Sequence, residues 1–331
     1  MYKKETFTAV ILFFILQICF AQSSFQNLEL GKNSLNYKGN PLKATDRKSL
    51  AFSDKGAWFG FGFLEHSKMQ GGFSGPFLMT EQNGVWLSSS FISLHLTDKN
   101  EQELIDWKSA LVSQNSYNSH LEQEFQNEKL EVKQQLVFSS GHSAIQKTII
   151  TNRSSKTITL YPIYNSKTYL DNMQLSTEGQ FLKLVSSKSN AVGYIQFFIE
   201  GIDIVITKDS FTAKANKLTL KPNETKEIVV SQTYIFPQYD WKKENENLAK
   251  IQFNTVLKDT KKEKENQLAQ LIAKKKSIYK GAEYSIFIAK LLLTLQNNTR
   301  IPAEGLKHEG LFPSYHYEWF HGFWAWDSWK H

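Results

Sequence analysis

Apolar and polar positions alternate over much of the first two thirds of the sequence. In residues 130–138, "LEVKQQLVF", Leu130, Val132, Gln134, Leu136 and Phe138 fall on one side, which is the period of a half-buried strand. "SAIQKTIITN" and "KTITLYPIY" follow, split by the turn-rich cluster Asn152-Arg153-Ser154-Ser155. "VGYIQFFIEG", "IDIVITKD" and "KLTLKPNETKEIVVSQTYIF" continue in the same manner. Short β-rich runs separated by turn signals, with no helical pattern between them, predict an antiparallel sandwich across residues 25–236.

Two glycine-bearing stretches interrupt the alternation. "GAWFGFGFLEH", residues 56–66, sets Phe59, Phe61 and Phe63 on one face and Gly60 and Gly62 on the other. Glycines inside a strand mark a close approach by other atoms. "GGFSGP", residues 71–76, reads as a tight loop. Neither stretch has the glycine spacing or the following helix of a phosphate-binding loop.

The period changes near residue 239. Leu268, Leu271 and Ile272 make a short helical stripe inside a lysine-rich segment, which reads as a connector resting against something larger. In "EYSIFIAKLLLTLQ", residues 283–296, Tyr284, Phe287, Ile288, Leu291, Leu292 and Leu295 share one helical face, and Ile286, Ala289 and Leu293 make the other sides apolar. Such a helix is expected to be buried on most sides. Only 35 residues follow it, too few to surround it, so the pattern leads us to expect an incomplete chain.

Charge changes this picture little. The net charge is +7, and residues 242–280, with eleven lysines and five acids, carry +6 of it. A solvated helix face accounts for this segment better than a nucleic-acid patch. Arginine is the usual fork for phosphates and base edges. The chain has only Arg47, Arg153 and Arg300, none of them in the segment. No nucleic-acid partner is expected.

The N-terminus has the form of an export signal. Lys3 and Lys4 precede an apolar run from Val10 to Ile18, and Cys19-Phe20-Ala21 offers a cleavage site before Gln22. The run is shorter than the roughly 20 residues of a membrane span, so no stable membrane insertion is expected after cleavage. A lipoprotein would use Cys19, but Ile18 is bulky for that reaction. Cys19 is also the sole cysteine, so residues 22–331 carry no disulfide. A periplasmic or secreted location is the expectation.

The last thirteen residues, "WFHGFWAWDSWKH", hold four of the eight tryptophans around one carboxylate, Asp327. Indole rings pack on the C–H faces of sugars, and a carboxyl walled by aromatics has its acid form favoured. A protonated carboxyl is what a departing glycosidic oxygen needs. The same stretch also fits an aromatic core patch closed by a capping aspartate, and spacing alone leaves both readings open.

The ending resembles the motif of glycoside hydrolase family 63, in its bacterial α-glucosidase branch, a Trp-x-Trp-Asp-x-Trp-Lys pattern matched by Trp324, Trp326, Asp327, Trp329 and Lys330. "GAWFGF" and "GGFSGPFLMTEQNGVWLS" are similar to segments of that family's N-terminal domain. The resemblance implies a mainly β N-terminal super-sandwich, then a helical linker, then the first part of a truncated (α/α)6 barrel. On this chain that gives a signal at 1–21, the sandwich at 22–237, the linker at 238–282 and the barrel start at 283–331.

It also implies exo-acting hydrolysis of terminal α-linked glucose from oligosaccharides, with inversion. Asp327 would be the general acid, and Trp319, Phe320, Trp324, Trp326, Trp329 and Lys330 would bind substrate. The general base would be a glutamate beyond His331. Among local carboxylates, Glu304, Glu309 and Glu318 could be asked to serve instead. Glu318 lies nine residues before Asp327 and could span the ~6.5–9.5 Å of an inverting pair, but it reads as an ordinary polar loop residue. His308, His316, His321 and His331 lack the His-Glu-x-x-His spacing and any cysteine partner, so no zinc site or cofactor is expected. The family's calcium sites would belong to the barrel beyond this stretch. The rival readings are a non-catalytic carbohydrate-binding sandwich, or a related (α/α)6 disaccharide hydrolase such as a trehalase. The "GGFSGP" loop leans against the latter.

Overall fold

The computed structural model describes residues 25–65, 70–324 and 326. The signal-like run, Asp327, Trp329, Lys330 and His331 lie outside them. A short helix, α1 (Gln26–Gly31), opens the fold. Strands β1 (Phe59–Gly62), β2 (Ser74–Leu78) and β3 (Val85–Trp86) form a three-stranded antiparallel sheet. β4 (Ser93–Thr97) pairs with β9 (Ile158–Lys167) in a five-stranded sheet, and β13 (Asp203–Ile206), β14 (Ser210–Lys214) and β15 (Leu218–Leu220) complete it. The large sheet has eight strands. They are β5 (Leu111–Ser116), β6 (Leu121–Gln126), β7 (Leu130–Phe138), β8 (Ser143–Asn152), β10 (Met173–Glu178), β11 (Phe181–Ser186), β12 (Val192–Phe198) and β16 (Thr225–Ile235). They run in the order β10-β11-β12-β16-β8-β7-β6-β5, every pairing antiparallel. The protein is thus mainly β, a sandwich followed by a few helices.

The inner faces of the sheets meet in one core. Phe125, Val132, Leu136 and Phe138 from the large sheet pack in the same cluster as Leu94, Leu160, Tyr164 and Phe211 from the five-stranded one. Phe59, Phe61 and Phe63 join them, with Phe59 in ring contact with both Phe138 and Tyr234. Their glycine neighbours are needed where they stand. A Cβ on Gly60 would lie 2.7 Å from the Phe52 carbonyl, and one on Gly62 would lie 2.5 Å from that of Tyr37. Gln134, an apparent break in the apolar face of β7, is fully buried but satisfied. Gln114, Gln123 and Gln134 form an amide ladder across β5, β6 and β7, and it donates to the carbonyls of Leu64, Gly71 and Gly72.

Residues 74–76 run in β2 rather than in a loop. Gly75 N–H donates to the Ser89 carbonyl, and the Pro76 carbonyl accepts from Leu87. The chain reaches this strand through Gly71 and Gly72, which press against the Leu94 and Ile92 carbonyls.

Beyond β16, α2 (Trp241–Lys250), α3 (Phe253–Ala273) and α4 (Ala282–Asn298) follow. Leu248, Phe253 and Leu257 cover Val137 and Ile145 on the outer face of the large sheet, which is why the alternation of β7 dissolves into continuous burial at its end. The buried stripe of α3 is Phe253, Leu257, Thr260, Lys264 and Leu268. Of the expected stripe, Leu268 is buried and Ile272 packs in the same cluster, but Leu271 is exposed, and the buried row runs back through Lys264 instead. Lys264 is buried because its ammonium meets the carboxylate of Asp54 at 2.7 Å.

α4 also departs from expectation. Its buried residues are Ser285, Ala289, Leu293, Asn297 and Asn298, while Tyr284, Ile286, Phe287 and Leu291 face solvent. Small residues lie inward because α1 approaches closely, with Gly31 against Ala289. The broad apolar face borders an open groove of about 670 Å³ shared with Leu271 and Tyr279.

Candidate active site

The segment after α4 returns to the sandwich and is stitched to it by polar side chains. Asn297 accepts from Ser53 N–H, and Asn298 accepts from Tyr315 N–H. The Tyr315 hydroxyl accepts from Ala51 N–H at 2.9 Å, and the Trp58 indole donates to the Ile301 carbonyl at 3.0 Å. Arg300 is fully buried at the centre. It donates to the carbonyls of Thr299 and Asn297 and contacts the Met79 sulfur, with its guanidinium facing the rings of Phe312 and Tyr315. No carboxylate pairs with it among the described residues, and burial lowers its pKa to about 9.

From this anchor the chain turns outward. His316 packs on Phe77. His321 places Nδ1 2.8 Å from the Tyr315 carbonyl and Nε2 3.3 Å from that of Met79. The shorter contact suits a neutral ring protonated at Nδ1. Burial lowers the pKa of both histidines, so both are held in the uncharged form. No grouping of three or more potential metal ligands occurs among the described residues.

The aromatic side chains beyond this anchor are displayed. Around a 3-10 turn at Glu318–Phe320, Trp319 is 70% exposed and Trp326 69%, and Phe320, Phe323 and Trp324 are exposed with them. Tyr317 stacks on Phe320, which meets Trp324 edge-on. Four of the residues expected to contact sugar, Trp319, Phe320, Trp324 and Trp326, are thus exposed, with Phe320 and Trp324 in ring contact. Among the carboxylates, Glu318 is exposed and attracted to Arg47, Glu309 is exposed, and Glu304 lines a neighbouring cleft while accepting from Asn190 at 2.9 Å.

That cleft has a volume of about 580 Å³. Its walls include Trp58, Glu81, Asn83, Lys188, Phe312, His321 and Phe323. Glu81 and Asn83 belong to the β2–β3 turn, "TEQNG". Asn83-Gly84 signals a hairpin, but nothing in the sequence marked Glu81, Lys188 or Arg300 as neighbours of the aromatic segment. Glu81 and Lys188 lie 238 and 131 residues before Trp319, and Arg300 lies 19 before it.

The fold is thus a β-sandwich followed by helices, with an aromatic-bearing cleft beside the segment after α4. The sequence profile described as the N-terminal domain of glucosidase YgjK matches residues 39–190. No curated protein matches the sequence. Among solved structures, a kojibiose phosphorylase from the human microbiome aligns over 75% of this chain and 39% of its own, with TM-score 0.52 and 10% identity. A family GH92 inverting mannosidase from Bacteroides thetaiotaomicron aligns over 88% of this chain and 44% of its own, with TM-score 0.51 and 10% identity. The chain spans about two fifths of the length of these proteins, and likeness at this identity establishes the fold alone.

Proposed function

We propose that the chain is part of an exo-acting, inverting α-glucosidase that removes terminal α-linked glucose from oligosaccharides, of the family 63 type. The observation that carries this reading is the display of Trp319, Phe320, Trp324 and Trp326 beside a carboxylate-bearing cleft, on a sandwich that matches a glucosidase domain. Exposed indoles are costly to leave bare, and sugar rings are natural partners for them. Asp327 follows Trp326 directly and is assigned as the general acid, with Trp329 and Lys330 as further substrate contacts. The general base is assigned to barrel residues beyond His331, and the open face of α4 to the seat of the next barrel helices. The leader-like N-terminus supports an exported enzyme.

The test is Asp327→Asn in the enzyme with its whole barrel. General acid catalysis is worth about 10²–10⁴-fold, so kcat/KM for an α-linked glucose disaccharide should fall by that factor. A glucosyl fluoride, whose leaving group needs no proton, should be cleaved with much less loss. A disaccharide rate close to wild type would assign Asp327 a structural role and overturn the reading. The 331-residue chain by itself, lacking the base, is expected to release no glucose.

A further inference from the structure

We propose that the sandwich itself supplies a sugar subsite at the β2–β3 turn, built on Glu81 and Lys188, which takes a neutral, hydroxyl-bearing ring of the oligosaccharide. The proposal rests on the glycosidase reading and deepens it by assigning part of substrate recognition to the N-terminal domain.

Two clefts meet at this turn. The first is the 580 Å³ cleft beside the aromatic segment, and the second, of about 680 Å³, lies on the other side of the turn. Glu81, Gln82, Asn83 and Lys188 line both. Glu81 is 5% exposed, yet its carboxylate has one hydrogen bond among the described residues, a long 3.3 Å contact from the Asn172 amide. A carboxylate can accept about four hydrogen bonds, so most of the acceptor capacity of Glu81 is left unused by protein groups among the described residues. The acceptor capacity left over is at the junction of the clefts. Lys188 is exposed and forms no ion pair among the described residues, so its donors are available there too.

The turn is held before any ligand arrives. The Arg47 guanidinium donates to the carbonyls of Asn83 and Gly84 at 2.9 and 2.7 Å. Met79 N–H donates to the Trp58 carbonyl, and Gly84 N–H to that of Glu81. Pre-organised polar groups lose little freedom on binding. Glu81 and Lys188 line the same clefts with opposite charges, so together they do not select a charged ligand. They match vicinal hydroxyls, which donate to one group and accept from the other. Trp58 and Phe312, in edge contact at 5.4 Å, add an apolar wall for the C–H face of a ring. Phe323 closes the same cleft and leads to the exposed tryptophans, so one oligosaccharide can reach both.

The experiment is calorimetric titration of the chain with maltotriose, isomaltotriose and kojibiose, comparing wild type with Glu81→Gln, Lys188→Ala and Trp324→Ala. Glu81→Gln keeps the shape and replaces an acceptor by a donor. Lys188→Ala alters an exposed side chain and leaves folding intact even if the Glu81 variant is unstable. We expect both to weaken binding of at least one sugar about tenfold, with Lys188→Ala keeping the wild-type melting curve. Wild-type affinity in both variants, with loss only in Trp324→Ala, would overturn the subsite and leave the glycosidase reading standing. Absence of binding by wild type would overturn the subsite, since its residues are all in this chain. Binding that depends on Glu81 and Lys188, with no glucosidase activity in the enzyme with its whole barrel, would support the subsite and reject the glycosidase reading.

Discussion

Two aromatic regions of this protein have the same kind of side chain and opposite fates. Phe59, Phe61 and Phe63 alternate with small residues along and just beyond an inner strand, and each is at most 1% exposed. Trp319, Phe320, Phe323, Trp324 and Trp326 cluster near the end of the chain and stand in solvent. The first group has a facing sheet that supplies Phe138 and Tyr234. The second is anchored at its base by Arg300, Tyr315 and His321, and its side chains are left exposed among the described residues. Aromatic content marks where binding free energy is available. The layer opposite decides whether folding or a ligand uses it.

The largest effects should fall on the buried side of this contrast. Phe59→Ala is expected to destabilise the protein by about 3–5 kcal/mol in denaturant unfolding, through lost transfer energy and the cavity left behind. A cost below about 1 kcal/mol would erase the distinction between the two regions. Lys264→Ala should also cost about 3–5 kcal/mol, because it strands the Asp54 carboxylate in the junction between sandwich and helices. Burial already raises the Asp54 pKa against the pull of Lys264. Removing the lysine raises it further, so the defect should be greatest near neutral pH and shrink as acid protonates Asp54. A defect independent of pH would mean that lost packing, not charge, dominates.

A smaller effect tests the hinge between the regions. His120, His316 and His321 all have folded-state pKa values lowered by burial. Each contributes stability that is fully present above the unfolded value of about 6.5 and is lost as the pH falls through the lowered value. Acidification below about 6.5 should therefore change the tryptophan emission of the segment that His316 and His321 anchor, before the far-ultraviolet β signal is lost. Simultaneous loss of both signals would place the linkage at His120, beneath the helices, instead. The smallest effect belongs to the display itself. Trp324→Ala should change stability by less than about 0.5 kcal/mol while weakening oligosaccharide binding. A large stability loss there would show that the tryptophan belongs to the core.

Much of the sandwich was legible because strand burial is a local pattern. The two-residue period located β7, β8, β9, β12, β13 and β16, and Gly60 and Gly62 announced a close approach that the Phe52 and Tyr37 carbonyls make. Pattern reading failed where a partner decides the outcome. A helix that is apolar on several sides does not reveal which side a neighbour will cover, and α1 selected the small-residue face of α4. A lysine in a basic run does not reveal an aspartate 210 residues earlier. Residues 74–76 looked like a loop because glycine and proline usually mark one.

The sequence by itself determined the elements and their sided patterning, the change from strand to helix near residue 239, and the concentration of indole rings around one carboxylate. These follow from backbone sterics and from periodicity, which act within a few residues. The tertiary structure alone decided what faces what. It buried Lys264 on Asp54, turned the broad face of α4 outward and fixed the β2–β3 turn with Arg47. It also brought Glu81 and Lys188 to the cleft beside His321 and Phe323. Those juxtapositions join positions far apart in the chain, and only the packing of one layer on another selects among them.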